Sequence, residues 1–247
     1  MISMNNKILT ITAHPDDCEL MFGGLIAKHI RQGYEVHSLI ITNGDKWISE
    51  PMLKTIDRRK ISEFRKNEAI EAMRTLGVKN VVFLDQTDGM ISADAIIPLL
   101  LSQVGKINPH FIFTHSDNEG HYDHHAVHNA VMRICNIVGE PCPICNSFWA
   151  DVESACTNFE ALYTTANTSD IGIRPCIFIP LDFEDVETKM KAVMKYESQF
   201  YGRMNDIQEK ITSEATYLGT LVNRRYAEVI QATYPELYQI RELVAID

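Results

Sequence analysis

The chain has 247 residues, a formal net charge of −10, and 45% hydrophobic against 23% charged residues. Those values are ordinary for a globular protein and leave room for a sizeable α/β core that needs no oligomer to fold, although a homo-oligomer stays open. The acidic balance, with no dense basic run beyond Arg58-Arg59-Lys60, argues against a nucleic-acid partner, and six cysteines without framework spacing read as reduced thiols. The apolar stretch after Met1–Asn6 is too short for a signal or membrane segment, so a cytoplasmic protein without membrane insertion is expected.

Taken in chain order, β-branched and apolar runs at Lys7–Ala13, Glu35–Ile41, Val81–Leu84 and Phe111–Thr114 alternate with helical patterns at Leu20–Gln32, Asp57–Leu76, Ala93–Ile107 and His124–Val138. This βαβαβαβα order predicts a doubly wound, mostly parallel sheet of Rossmann-like type over residues 1–140. From Glu140 onward the signal weakens. Pro141–Cys145 reads as a loop, Ser147–Ala150 and Cys176–Pro180 as strands, Thr157–Arg174 as irregular, and Asp182–Phe200 and Asp206–Leu221 as helices. No linker separates the halves, so residues 141–247 are expected to complete one domain, 1–247.

The first strand runs into His14-Pro15-Asp16-Asp17-Cys18-Glu19, followed by Gly23-Gly24. Ligands bind at the carboxyl ends of strands in such sheets, and an imidazole with two carboxylates suits a zinc site in which one acid binds metal and the other handles a proton. Asp16 and Glu19 also fit a capping box, which would account for one aspartate but not for His14 or the doubled acid. The helix dipole at that point favours the ionised carboxylate that a cation requires.

After the fourth strand comes the densest His/Asp cluster: His115-Ser-Asp117-Asn-Glu-Gly120-His121-Tyr-Asp123-His124-His125-Ala-Val-His128. A strand order of 3-2-1-4 would bring both clusters to one crevice. At roughly 100° per residue, His124 lies beside the stripe Val127, Val131, Ile134 and Val138, while His125 points toward solvent. His128 pairs with His124 at i, i+4, but no glutamate stands between them as in a zincin helix, so a packing or supporting role is expected. On the helix Asp57–Leu76, Arg65 and Glu68 share the apolar face. Two readings stay open there: a mutual ion pair, or an arginine that reaches the pocket.

These segments resemble the PIG-L/LmbE-like zinc N-deacetylase family. The marks are Ala13-His14-Pro15-Asp16-Asp17-x-Glu19 with Gly23-Gly24, and His121-x-Asp123-His124; further landmarks are Arg65-x-x-Glu68-Ala69, Leu76-Gly77-Val78, Asp88-Gly89, Ser198-Gln199 and Tyr226-Ala227-Glu228. The resemblance implies Zn²⁺, or another divalent ion, on His14, Asp17 and His124. It also implies Asp16 as general base and His121 as the group that polarises or protonates, oriented by Asp123. Tyr196 stands where many members have histidine.

The implied activity is hydrolysis of the acetamide of an N-acetylglucosamine-type small molecule. Arg65 and the loop through Trp47 are candidates for substrate contact, Trp47 by stacking on a sugar ring. Another small amide, or a non-catalytic metal-binding relative, stays open, although such a relative would be expected to lack Asp16 or His121. A nucleotide-dependent enzyme is disfavoured, because no G-x-G-x-x-G follows the first strand. Cys142 and Cys145 have half-knuckle spacing without a second pair and read as structural.

Overall fold

The computed structural model describes residues 6–138, 161–166, 171–172, 174 and 176–234. The first half runs β1 (Lys7–Thr12), α1 (Asp17–Arg31), β2 (Glu35–Thr42), α2 (Glu50–Leu53), a 3-10 turn (Arg58–Lys60), α3 (Ile61–Leu76), β3 (Asn80–Gln86), α4 (Ala93–Ile107), β4 (Phe111–Thr114) and α5 (Tyr122–Val138). The second half runs β5 (Ala161–Thr165), β6 (Ile177–Leu181), α6 (Phe183–Val193), α7 (Glu197–Phe200), α8 (Met204–Leu221) and β7 (Tyr226–Tyr234).

Among the described residues the seven strands form one sheet in the order β3-β2-β1-β4-β5-β7-β6. β1 pairs in parallel with β2 (Lys7 opposite Glu35) and with β4 (Ile8 opposite Phe111), so the expected order 3-2-1-4 is found. The strand period of two splits β1 between two cores: Ile8 joins Phe22, Leu25 and Ala69 on the face of α1 and α3, whereas Leu9 and Ile11 join Leu100 and Val131 on the face of α4 and α5. Helices therefore cover both faces, and the connections leaving β1 and entering β4 lie on opposite sides. That geometry opens a crevice at their carboxyl ends.

The second half differs from expectation in three places. The segment read as irregular contains β5, which extends the parallel sheet with Phe111 opposite Ala161. β7, not expected as a strand, runs antiparallel between β5 and β6 and makes the sheet mixed. The helix expected over Asp182–Phe200 is two helices, because Tyr196 leaves the helical region (φ −87°, ψ 68°) to bury its ring. The expected strand Ser147–Ala150 and the Cys142/Cys145 pair lie outside the described residues.

The glycine pair in α1 has a packing reason. A methyl group on Gly24 would come within 2.5 Å of Leu181 Cδ1 and 2.9 Å of Glu228 Oε1, and one on Gly23 within 2.7 Å of Lys189 Cγ. Glu228 closes that approach: its two oxygens accept from the Gly24 and Leu25 amides at 3.0 and 2.6 Å, and Lys189 Nζ donates to it at 2.7 Å.

Candidate active site

The chain leaves β1 through a strained residue: Asp16 has φ 105°, a left-handed conformation that side-chain-bearing residues seldom adopt. The turn separates the doubled acid, sending Asp17 into the first turn of α1, where its Oδ2 accepts from the His14 amide at 2.7 Å. Asp16 makes no side-chain cap. The capping-box alternative is thereby corrected, since Glu19 Oε1 accepts instead from the Tyr196 hydroxyl at 2.8 Å.

Beyond β4, the turn into α5 delivers His124 in the first turn of that helix. His14 Nδ1 lies 3.3 Å from Asp17 Oδ2 and 3.3 Å from His124 Nε2, and His124 Nε2 lies 3.4 Å from Asp17 Oδ1. Two tetrahedral donors about 2.0–2.1 Å from a zinc ion stand about 3.3–3.4 Å apart, which is the spacing of His14 Nδ1 and His124 Nε2, and one oxygen of Asp17 lies at that distance from each ring, so the three side chains can share one divalent cation. Other overlapping groups of donor atoms within 4.8 Å of one another are His14, His121 and His124; Asp17, His115 and His124; and His14, Asp88 and Asp123.

The electrostatics of the cluster call for positive charge at its centre. Burial alone would lower the His14 pKa, but the Asp17 charge and hydrogen bonds to Asp123, Asp17 and Asp88 outweigh it and push it up to about 12. His124 is likewise raised, to about 9, as bonds to Asp17 and Glu119 overcome its burial. Asp17 is held well below the usual carboxylate range, its desolvation outweighed by the two imidazoles.

Asp16 stands beside this group. Burial raises its carboxyl to about 7 against the pull of the Arg65 guanidinium, a range in which it can exchange a proton near neutrality. Arg65 is 3% exposed, and its terminal nitrogens donate to Pro15 O at 2.5 Å, Gly44 O at 2.8 Å and Asp16 Oδ1 at 3.2 Å. Those three bonds give Arg65 the task of holding Asp16 and its turn. Nor does it pair with Glu68, whose carboxylate accepts from the Ser198 amide at 2.7 Å and from the Ser198 hydroxyl.

His121 lies at the exposed mouth, its ring 4.6 Å from that of His14 and 4.8 Å from that of His124. In the structure Asp123 meets this ring through its backbone amide and not through its carboxylate. Asp123 Oδ2 accepts from the Gly89 amide at 2.6 Å and faces His14 Nε2 at 3.2 Å, while only the Asp123 backbone amide reaches His121 Nδ1, at 3.2 Å. Because Nδ1 accepts, the His121 proton sits on Nε2. Burial and the neighbouring imidazoles lower the His121 pKa.

Trp47 is 52% exposed on the loop after β2. The loop is pinned by Lys46 N to Asp88 Oδ2 at 3.2 Å, Gln199 Nε2 to Trp47 O at 3.3 Å, and Ser49 N to Ser198 O at 2.7 Å. Those bonds use the backbone of the loop, and the Trp47 side chain is left exposed. His125 is half-buried rather than solvent-facing, and His128 donates through Nδ1 to His115 O at 2.9 Å.

Three residues without a role in the sequence reading also reach the site. Asp88 Oδ1 lies 3.2 Å from His14 Nε2; its signal was the Asp-Gly landmark at the end of β3, on the same sheet edge. His115 accepts the Ala13 amide at Nε2, 2.8 Å away, and directs Nδ1 to Glu119 Oε2 at 3.3 Å. Glu119 also meets His124 Nδ1. Both precede His121 in the His/Asp cluster, and the sequence assigns roles only from His121 onward.

A doubly wound α/β domain with an imidazole–carboxylate cluster at its switch point defines a class of metal-capable enzyme folds. The profile described as PIG-L: GlcNAc-PI de-N-acetylase matches residues 9–135, and the chain belongs to that family. Over 231 residues it is 26% identical to the diacetylchitobiose deacetylase of Thermococcus kodakarensis, covering 91% of this chain and 82% of that protein. Over 128 residues it is 31% identical to the 4-oxalmesaconate hydratase of Pseudomonas putida, covering 50% and 49% of the two chains. In structure it is similar to the N,N'-diacetylchitobiose deacetylase of Pyrococcus horikoshii, with a TM-score of 0.79, 21% identity, and coverage of 97% of this chain and 89% of that one.

Proposed function

We propose that this protein is a zinc-dependent hydrolase that removes the acetyl group from an N-acetylglucosamine-type amino sugar, releasing acetate and a free amine. The observation that carries the reading is the set of 3.3–3.4 Å spacings among His14, Asp17 and His124, from segments about 110 residues apart, with the Asp16 carboxylate beside them. Family membership and the full-length similarity to a deacetylase that acts on an acetylated amino sugar support the substrate class.

In this reading His14, Asp17 and His124 would hold the cation, which would supply Lewis acidity toward water and the amide carbonyl. Asp16, held by Arg65, takes the proton from the attacking water and is the general base. His121 points an Nε2–H donor at the oxygen that gains charge as the carbonyl is attacked; its role follows from the tautomer set by the Asp123 amide and does not need an imidazolium. Asp88 and Asp123 take the Nε2–H of His14 and orient that ring toward the cation with its other nitrogen. Trp47 offers a flat apolar surface at the rim, suited to the C–H face of a pyranose.

A second reading rests on the 31% identity with a hydratase over 128 residues, half of this chain. The same cation and base could add water to a conjugated C=C bond. Acetate release from a panel of N-acetylglucosaminides, with and without chelator, set against water addition to 4-oxalmesaconate, separates the two. The deacetylase reading expects chelator-sensitive acetate release and no hydration; hydration without acetate release would overturn it.

No helix among the described residues is long and apolar enough to cross a membrane, in keeping with a small-molecule substrate. The same reading keeps the protein cytoplasmic.

A further inference from the structure

We infer that Glu119 is a positioning residue for His124, fixing the ring so that Nε2 faces the cation and thereby setting the affinity of the site for a divalent ion. The inference rests on the metal-dependent reading above.

Glu119 lies in the turn between β4 and α5, and four donors from three parts of the fold converge on its carboxylate. Oε1 accepts from the Ser116 amide at 3.0 Å and from the Thr165 hydroxyl at the end of β5. Oε2 accepts from His115 Nδ1 at 3.3 Å and from His124 Nδ1. A carboxylate offers about four lone-pair positions, so this one is filled and cannot swing toward another partner.

The tautomers follow from the donors. His115 Nε2 accepts a backbone N–H, which only an unprotonated nitrogen can do, so its proton is on Nδ1 and points at Glu119. His124 likewise presents Nδ1–H to the same oxygen, which leaves the Nε2 lone pair directed at Asp17 and His14, 3.4 and 3.3 Å away. Thr165 and Ser116 hold the carboxylate from the far side. His115 therefore serves as a brace for Glu119, and Glu119 as the brace for His124. Burial alone would raise the Glu119 pKa, but the hydrogen bonds of both imidazoles and Thr165 hold it well below the ordinary carboxylate range.

The test compares the parent with Glu119→Gln and Glu119→Asp. Zinc affinity is measured by competition with a chromophoric chelator, and the coordination geometry is read from the visible absorption of the cobalt(II)-loaded proteins. Melting temperatures of the chelator-treated proteins check folding. Removal of an outer partner of a metal ligand costs roughly 10–100-fold in affinity. Glu119→Gln is expected to raise the zinc Kd by that factor and to shift the cobalt bands, with Glu119→Asp in between. Should Glu119→Gln fail to fold, Glu119→Asp carries the test with a smaller rise. A parent Kd and an unchanged cobalt spectrum in the folded variants would overturn the inference alone; a parent that binds no zinc overturns the reading beneath it as well.

Discussion

One buried guanidinium holds both the side chain and the peptide of the strained turn: Arg65 Nη2 donates to Asp16 Oδ1 at 3.2 Å and to Pro15 O at 2.5 Å. Lysine keeps the charge but loses the fork. Arg65→Lys is therefore expected to lower kcat about 10–100-fold with KM nearly unchanged, as misplacement of a reacting group does. Steady-state kinetics decide; a rise confined to KM would restore Arg65 as a substrate contact.

The doubled acid should divide cleanly by substitution. Asp16→Asn is expected to bind one equivalent of zinc and lose most activity, whereas Asp17→Asn loses zinc on dialysis, because its oxygens face both His14 and His124. Metal analysis of the purified variants beside their rates makes the comparison, and equal zinc content in the two would contradict the assignment.

Zinc should stabilise the fold by mass action, because the three ligands meet only in the folded chain. At a free zinc concentration about a hundred times Kd the gain is about 2.7 kcal/mol, or about 5–10 °C in Tm for a chain of this size. Thermal melts with zinc and with chelator test this, and a Tm indifferent to both would count against the site.

Away from the site, His29 sets an acid limit on stability. Burial lowers its pKa from the ordinary 6.5 although its bond to the Leu25 carbonyl opposes this, so the folded protein keeps it neutral while the unfolded chain takes up a proton. Its contribution is complete above about pH 6.5 and is lost as the pH falls below that, by at most about 1.4 kcal/mol per pH unit. Urea midpoints at pH 7.5 and 5.5 should converge in His29→Leu relative to the parent; an unchanged difference would assign the acid sensitivity elsewhere.

Gly24→Ala should destabilise the fold by about 1–3 kcal/mol, the range for overpacking, since the added methyl meets Leu181 and Glu228. Denaturant unfolding reads this directly, and a neutral result would mean that β6 and β7 yield.

The doubly wound half was legible because its signal is local: the apolar runs of β1 to β4 and the apolar faces of α1, α3, α4 and α5 are properties of neighbouring residues. The convergence of His14 and His124 was legible for the same reason, since strand order alone brings both to one edge. β5 was missed because Ala161–Thr165 is only five residues long and shows little period, and β7 because its Glu228 is a buried carboxylate whose partners, Lys189 and the α1 amides, are distant in sequence. The partners of Arg65 and Glu68 failed for a related reason. Each helix neighbour looked like the other's natural mate, yet Arg65 is taken by the loop at Gly44, 21 residues away, and Glu68 by Ser198 of α7, 130 residues away. Asp123 was assigned to the histidine two positions back, but the onset of α5 turns its carboxylate inward to His14.

The left-handed residue at position 16 limits which replacements there can be interpreted. Asparagine visits that region more readily than most side chains and glycine does so freely, whereas alanine or glutamate would have to be forced into it. A dead Asp16→Ala enzyme would thus confound a broken turn with a missing base, and the amide and glycine variants together separate geometry from chemistry.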